Sequence, residues 1–305
     1  MSVLVVGSVA LDSVKTPFGE RQEALGGSAV YSSYAASFFT PVQLVGVVGS
    51  DFPKEHVDRL RRRSIDLEGL QTVSGQTFRW SGAYEFDLNE AKTLDTKLNV
   101  FETFSPVLPS SYQRTDAVFL ANIDPDLQRS VLRQVSRPKL VAADTMNLWI
   151  RLKKKSVKAL CQEIDILILN DAEARQLSDQ SSLIRAGRTI QSWGPRYVVV
   201  KKGEHGCLLF SKRNIVSVPA FPLEDVFDPT GAGDTFAGGF IGHLNQNKNR
   251  LDEDTVHQAL YRGTAMASFT VEKFSLERLY TVRPSDITRR LTLLDRMVRP
   301  VLLRV

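Results

Sequence analysis

The 305-residue chain contains two cysteines, Cys161 and Cys207. That is too few for a disulfide framework or a cysteine-based zinc site, and it fits a reducing cytoplasm. No apolar run approaches the roughly 20 residues that span a bilayer, which argues against an integral membrane protein. The opening Met1-Ser2-Val3-Leu4-Val5-Val6-Gly7 has no basic segment ahead of its apolar residues and reads as a buried strand, not a signal peptide. Surplus charge is modest at +5, and residues 278–305 hold all of it: Arg278, Arg283, Arg289, Arg290, Arg296, Arg299 and Arg304 against Asp286 and Asp295. Ile287, Leu291, Leu294 and Val298 recur there at helical spacing, so the arginines are expected on the wet face of a terminal helix rather than in a polyanion site. Arg61-Arg62-Arg63 reads the same way. No basic stripe interleaved with aromatics is present, so no nucleic-acid partner is expected. The Walker A pattern G-x-x-x-x-G-K-[ST] is missing, and the first strand runs into Gly7-Ser8-Val9-Ala10-Leu11-Asp12, which is not a dinucleotide fingerprint.

What is present is an alternation. Compact β-rich runs at 3–7, 42–48, 117–121, 140–143, 164–169 and 197–200 have the character of fully buried parallel strands. Helical stretches lie between them at 29–39, 53–63, 127–135, 152–161, 172–177 and 183–192. Alternation of this kind predicts an α/β fold with a doubly wound, mostly parallel sheet flanked by helices. Residues 12–25 and 74–104 break the pattern, being strand-like with no helix between. Phe78, Trp80, Tyr84 and Phe86 fall at period 2, and 94–104 is a candidate partner strand. Such an aromatic face either packs on the core or belongs to a small β-sheet lid, apolar toward substrate or toward a second subunit in a homodimer. The lid reading divides the chain into a core of 1–11, 26–73 and 105–305 and a lid of 12–25 and 74–104.

The segment Asp228-Pro229-Thr230-Gly231-Ala232-Gly233-Asp234 precedes apolar positions Phe236, Phe240, Ile241 and Leu244, which mark a helix. A glycine-rich turn at a helix N-terminus offers unpaired N–H groups and the positive end of the helix dipole, which together suit a phosphate. Gly238, Gly239 and Gly242 weaken that helix by propensity, so close packing is expected to explain them.

This segment resembles the second signature of the ribokinase-like (PfkB) carbohydrate kinase family, D-[T/P]-x-G-A-G-D. Gly26-Gly27-Ser28-Ala29 resembles the family's di-glycine signature, Asn170-Asp171-Ala172-Glu173 its N-x-x-E motif, and Lys201-Lys202-Gly203-Glu204-His205-Gly206 its nucleotide-loop segment. The resemblance covers essentially the whole chain. It implies a cytoplasmic phosphotransferase that uses ATP with Mg2+ to phosphorylate a primary hydroxyl of a sugar or sugar-like metabolite. By the same resemblance Asp234 is the proton acceptor, and Gly231, Ala232 and Gly233 hold the transferring phosphoryl. Asp12, at the end of the first strand, would bind acceptor hydroxyls beside Gly26, Gly27, Tyr31 and Asn122. Asn170, Lys202, Gly203, Thr230 and Gly233 would meet the nucleotide, and Asn170 with Glu173 would hold Mg2+ through water.

Each assignment has a plainer counterpart. Asp234 is also a natural helix cap, Asn170 with Glu173 a capping pair, and Asp12 a turn residue. Asn122, Asp144 and Asn147 follow buried strands and divide evenly between pocket groups and loop caps. The family places an asparagine where this chain has Tyr31, and its D-x-N-x-R pattern is altered to Asp144-Thr145-Met146-Asn147-Leu148. A monovalent cation is left open: Asp228 is placed to face one, but 271–275 lacks the glycine that cation-activated members carry. Tyr31 and the lid aromatics suit either a nucleoside base or the apolar face of a sugar, so a nucleoside kinase is the alternative. A regulatory protein that binds nucleotide without catalysis is the alternative of another class.

Overall fold

The computed structural model describes residues 2–89 and 91–298, so Arg299 and Arg304 lie outside the described residues. Strand β1 (Val3–Val6) is wholly buried, and the chain then forms a hairpin of β2 (Ala10–Thr16) and β3 (Gly19–Gly26). Helix α1 (Ser28–Ala36) returns to β4 (Val42–Gly49), and α2 (Lys54–Arg62) leads to β5 (Ile65–Val73). A second hairpin, β6 (Phe78–Tyr84) and β7 (Ala91–Lys97), precedes β8 (Ala117–Leu120). Alternation then resumes with α3 (Pro125–Leu132), β9 (Leu140–Asp144), α4 (Asn147–Leu160), β10 (Ile166–Asn170), α5 (Asp171–Ser178), α6 (Leu183–Gln191) and β11 (Tyr197–Lys201). Strands β12 (Cys207–Phe210) and β13 (Ile215–Val218) follow, then α7 (Ala232–Gln246), α8 (Glu253–Thr270) and α9 (Pro284–Val298).

Nine strands form one sheet in the order β13-β12-β11-β10-β9-β8-β1-β4-β5. It is parallel from β11 to β5 and antiparallel at β12 and β13. Pleating sorts the strands onto two cores. Val5, Phe119, Ala142, Ile168 and Val199 face one core together with α1, α7 and α8. Val6, Leu120, Ala143, Leu169 and Val200 face the other, against Val131 of α3, Val157 of α4 and Ile190 of α6. Among the described residues no helix is long and apolar enough to cross a membrane.

The four remaining strands form a separate sheet in the order β3-β2-β6-β7. Its two hairpins are antiparallel, and β2 joins β6 in parallel. The expected strand bounds need adjusting: the first hairpin runs from Ala10 to Gly26, and the expected strand at 94–104 is instead the end of β7 (Ala91–Lys97) followed by a short 3-10 turn, Asn99–Thr103. The aromatics do not act as one face. Phe78 stacks on Phe101, which stacks on Phe104, and this fixes the stem of the sheet to the core. Trp80 lies over Gly82 within the sheet and donates from Nε1 to Thr93 Oγ1 at 3.3 Å. Phe86 lies beyond the strand and is 96% exposed.

Helix α9 buries Ile287 and Leu294 and exposes Arg289 and Arg296, as its spacing predicts. Arg290 departs from that pattern. Its guanidinium turns inward to Glu272 at 2.6 Å and Ser268 at 2.9 Å and lies 3.7 Å over the Phe269 ring.

The glycines of α7 are packing sites. A Cβ on Gly238 would stand 2.2 Å from the Ser32 carbonyl oxygen of α1, and one on Gly242 would stand 2.9 Å from Ala36 Cα. On the opposite flank, a Cβ on Gly239 would meet Met266 of α8 at 2.8 Å. Backbone cannot yield as a side chain does, so G238A should destabilise the protein by about 1–3 kcal/mol despite its gain in helix propensity. Urea denaturation measures this; unchanged stability would show that α1 and α7 are not held in contact.

Candidate active site

Asp144, Asn170 and Lys201 are the last residues of β9, β10 and β11. Each follows by two a residue of the α7-facing core, Ala142, Ile168 and Val199, so pleat parity turns all three toward the N-terminus of α7. Register sets Asn170 opposite Lys201 and Asp144 two residues back, opposite Ile168, so the Lys201 side chain reaches back across β10 to Asp144. Lys201 Nζ donates to Asp144 Oδ2 at 3.0 Å, and Thr145 N–H donates to Asp144 Oδ1 at 2.7 Å. Across the gap, a Cβ on Gly233 would lie only 2.9 Å from Lys201 Nζ.

Gly231 is the N-cap of α7, with φ 74°, a left-handed conformation that favours glycine. A second reason for glycine is contact: a Cβ there would stand 2.5 Å from the Tyr31 ring. Ala232 N–H already donates to the Pro229 carbonyl at 3.1 Å, which corrects its expected place in the anion hole. Among the described residues Gly233 N–H and Asp234 N–H have no backbone acceptor, as helix geometry dictates for the first turn. Asp228 is buried, and its carboxylate accepts from Thr230 N–H at 2.9 Å and Ser275 N–H at 3.0 Å. It thereby fastens the turn to the loop after α8.

Asp12 lies inside β2, not at the end of β1, and so belongs to the small sheet. The β2–β3 register slips between Asp12 and Val14, where Glu23 takes φ 48°; such bulges redirect side chains beside functional sites. The carboxylate fills the space above Gly26, where a Cβ would fall 1.9 Å from Asp12 Oδ2. Gly27, with φ 97°, is the N-cap of α1. Two of the contacts between the small sheet and the main domain border the site. Thr230 Oγ1 donates to Tyr84 Oη at 3.3 Å, and Asn89 Nδ2 donates to Glu204 Oε1 at 3.4 Å beside Gly203.

Several expected groups are differently employed. Tyr31 is fully buried beneath Gly231 and offers no free ring face to a base or sugar. The Asn122 amide is held by Met146 and Trp149, and Asn147 is exposed at the start of α4. In the nucleotide loop it is Lys201, overlooked in favour of Lys202, that enters the site; Lys202 N–H closes the turn on the Gly206 carbonyl. Period-2 counting back along β11 distinguishes the two lysines. Asn170 and Glu173 form a complete capping box, each side chain accepting from the other's N–H at 2.7–2.8 Å.

The electrostatics are one-sided. Asp144, Glu173 and Asp234 gather around one ammonium, and Asp12 and Asp228 add their charges on the side of Asp234 away from it. Burial, with Asp144, pushes Asp234 up to about 7. Burial likewise pushes Asp12 to about 7, the Asp228 and Asp234 charges adding to it and a hydrogen bond from Gly27 opposing it. Glu173 reaches about 7 chiefly through burial, with Asp144 next. Burial pulls Lys201 down, but Asp144, Glu173 and Asp234 outweigh it and leave its pKa raised. Among the described residues no three acidic, His or Cys side chains form a direct metal cage. An excess of carboxylate oxygens without a closed cage suits Mg2+ that keeps its waters and shares substrate phosphates.

Comparison with known proteins gives the family. The profile of the pfkB family carbohydrate kinases matches residues 3–279. A cytidine kinase from Thermococcus kodakarensis is 28% identical over 269 residues, covering 86% of this chain and 94% of that protein. The nucleoside kinase of Burkholderia thailandensis, solved with ADP-inosine, superposes with a TM-score of 0.79 at 16% identity over 99% of both chains. An E. coli protein assigned as ribokinase II, solved with ATP and Mg2+, gives 0.78 at 17% identity, covering 96% of this chain and 99% of that one. With the profile spanning nearly the whole chain and the glycine turn in place at the start of α7, the protein belongs to the pfkB carbohydrate kinase family and is a phosphotransferase.

Proposed function

We propose that this kinase transfers the γ-phosphoryl group of ATP to a primary hydroxyl on the ribose of a nucleoside, with Asp234 as general base. The observation that carries the reading is the convergence of Asp234, the unengaged Gly233 and Asp234 N–H groups and Lys201 at one helix N-terminus. Asp12 binds acceptor hydroxyls and is held there by Gly26 and Gly27. Asp234 takes the proton of the attacking hydroxyl, while the amides and Lys201 receive phosphoryl oxygens. Gly203 and Thr230 border the nucleotide, and Asn170 with Glu173 hold Mg2+ through water. Bound Mg2+ supplies charge neutralisation between phosphates. A regulatory role confined to binding would give Asp234 nothing to do.

Resemblance to cytidine and nucleoside kinases supports the nucleoside. One observation favours a compact sugar instead: Tyr31 is covered by Gly231, and Tyr84 is tied through its hydroxyl to Thr230. An ADP-release assay across cytidine, inosine, ribose, fructose and myo-inositol decides between them. A nucleoside is expected to give the highest kcat/KM; a free sugar exceeding every nucleoside tenfold would reverse the assignment.

Asp234→Asn keeps the shape but removes the proton acceptor, and kcat should fall at least ~10²-fold. Since the Asp234 carboxyl rises from 3.8 to about 7, wild-type kcat/KM should fall as pH drops below about 7. The same shift acts on stability with the opposite sense. The folded protein retains a proton that the unfolded chain releases above pH 3.8, so ligand-free stability declines as pH rises toward 7. At pH 8 the Asp234→Asn protein should therefore melt no lower than wild type while turning over poorly. Near-normal turnover would remove Asp234 from the proton-acceptor role and leave it an acidic residue in the first turn of α7.

Glu173→Gln preserves reach and can still accept from Asn170 N–H, but it carries no charge. Titrating Mg2+ against initial rate should show a higher concentration at half-maximal rate. An unmoved titration would confine Glu173 to the capping box.

A further inference from the structure

We propose that the cavity bounded by Tyr34, Arg59, Arg62, Arg63 and Tyr280 is a second binding site, separate from the active site, for a diphosphate group. The cavity measures about 270 Å3 and shares none of its lining with the residues placed around Asp234. Arg59, Arg62 and Arg63 are spaced i, i+3 and i+4 at the C-terminal end of α2, so they lie along one face. The run expected to be a solvated face is therefore only partly so: Arg61 points to solvent, whereas Arg62 and Arg63 line the cavity.

Two features distinguish this cluster from an ordinary basic surface. The first is the lack of counter-charge. Arg79 is neutralised by Asp51 and Glu23, and Arg278 and Arg290 by Glu272, whereas Arg262, a single half-buried arginine, bonds only the Gln258 carbonyl among the described residues. Among the described residues no carboxylate lies within ion-pair distance of Arg59, Arg62 or Arg63. The second is preorganisation. The Arg59 guanidinium lies 4.7 Å over the Tyr280 ring, and that of Arg63 lies 3.8 Å over Phe38. Tyr34 and Tyr280 brace each other edge to face at 5.6 Å. Stacking holds a guanidinium by its flat face; Arg63 Nε also donates to Ser37 Oγ at 3.0 Å, which fixes it further and leaves its terminal N–H groups for phosphate oxygens.

Three positive charges within so small a volume call for more negative charge than one carboxylate carries, and two linked phosphates supply it. The space is too small for a whole nucleotide, but an adjoining cavity of about 440 Å3 shares Arg62 and Arg63 and leaves room for a nucleoside attached to the same diphosphate. Inorganic pyrophosphate and the tail of a nucleoside diphosphate thus present the same chemistry.

Calorimetric titration of the full chain with inorganic pyrophosphate tests the site, comparing wild type with R59Q/R62Q. Arg63 is left in place because its contacts with Phe38 and Tyr34 are also packing. The dissociation constant should rise at least tenfold in R59Q/R62Q, the change expected from losing one charge-assisted hydrogen bond, while the melting temperature holds. If the double variant does not fold, R62Q at its exposed position should show the same direction, with R62K intermediate. Equal pyrophosphate affinity in wild type and variant, or no binding to wild type at millimolar concentration, overturns the proposal. Titration with ADP identifies the source: a second equivalent that R59Q/R62Q abolishes assigns the site to a nucleotide, and a single equivalent alongside pyrophosphate binding assigns it to the inorganic ion.

Discussion

Everything at the active site depends on one imbalance: three carboxylates, Asp144, Glu173 and Asp234, share a single ammonium, and Asp12 adds further negative charge beside Asp234. Lys201 is bonded to Asp144, yet Asp12, Glu173 and Asp234 remain partly or wholly buried with pKa values near 7. A buried charge without a partner is costly, and a domain with ordinary marginal stability carries few of them. Here the backbone bears the cost. Strand ends and a helix N-terminus fix where the carboxylates stand, and Asp228 is satisfied by two N–H groups rather than by a cation. What the site has little of is positive charge, and under the proposed function a divalent cation would supply it while the amides met the phosphates.

This account also explains which parts of the site were legible in the sequence. The glycine turn was readable because each of its residues answers a local demand: φ 74° at Gly231, the missing side chain opposite Lys201 at Gly233, and an acidic residue in the first turn at Asp234. The parallel sheet was readable for the same reason, since strands buried on both faces must be apolar throughout. Lys201 was missed because motif matching treats a lysine pair as interchangeable, whereas a strand does not. One step along β11 moves a side chain to the other face, and only Lys201 continues the Tyr197–Val199 side. Asp144 was left undecided for lack of that same count along β9.

The small sheet was harder, and the difficulty was non-local. Nothing near residue 12 announces that β2 pairs in parallel with a strand nearly 70 residues later, or that a bulge opposite it turns Asp12 over Gly26. Period 2 was rightly seen in the aromatics, but periodicity states only that residues share a face. It could not show that Phe78 would secure the stem, Trp80 cover a glycine and Tyr84 reach the phosphate turn. Phe86 kept the period after the strand had ended.

Tyr31 shows how the two halves of the site are made one. Helix α1 begins at Gly27, beside the carboxylate placed for the acceptor, and one turn later its Tyr31 ring supports Gly231 of the phosphate turn. The next residue, Ser32, donates from Oγ to the Asp234 carbonyl at 3.1 Å, and its own carbonyl oxygen lies where a side chain on Gly238 would be. The position at which family members carry a sugar-binding asparagine therefore serves here as a support between α1 and α7. An asparagine is too short to fill the space under Gly231 that an aromatic ring fills, so reach toward substrate has been exchanged for rigidity of the turn. Under the proposed function acceptor recognition then falls to Asp12 and the small sheet, which stand apart from the helix that carries the glycine turn.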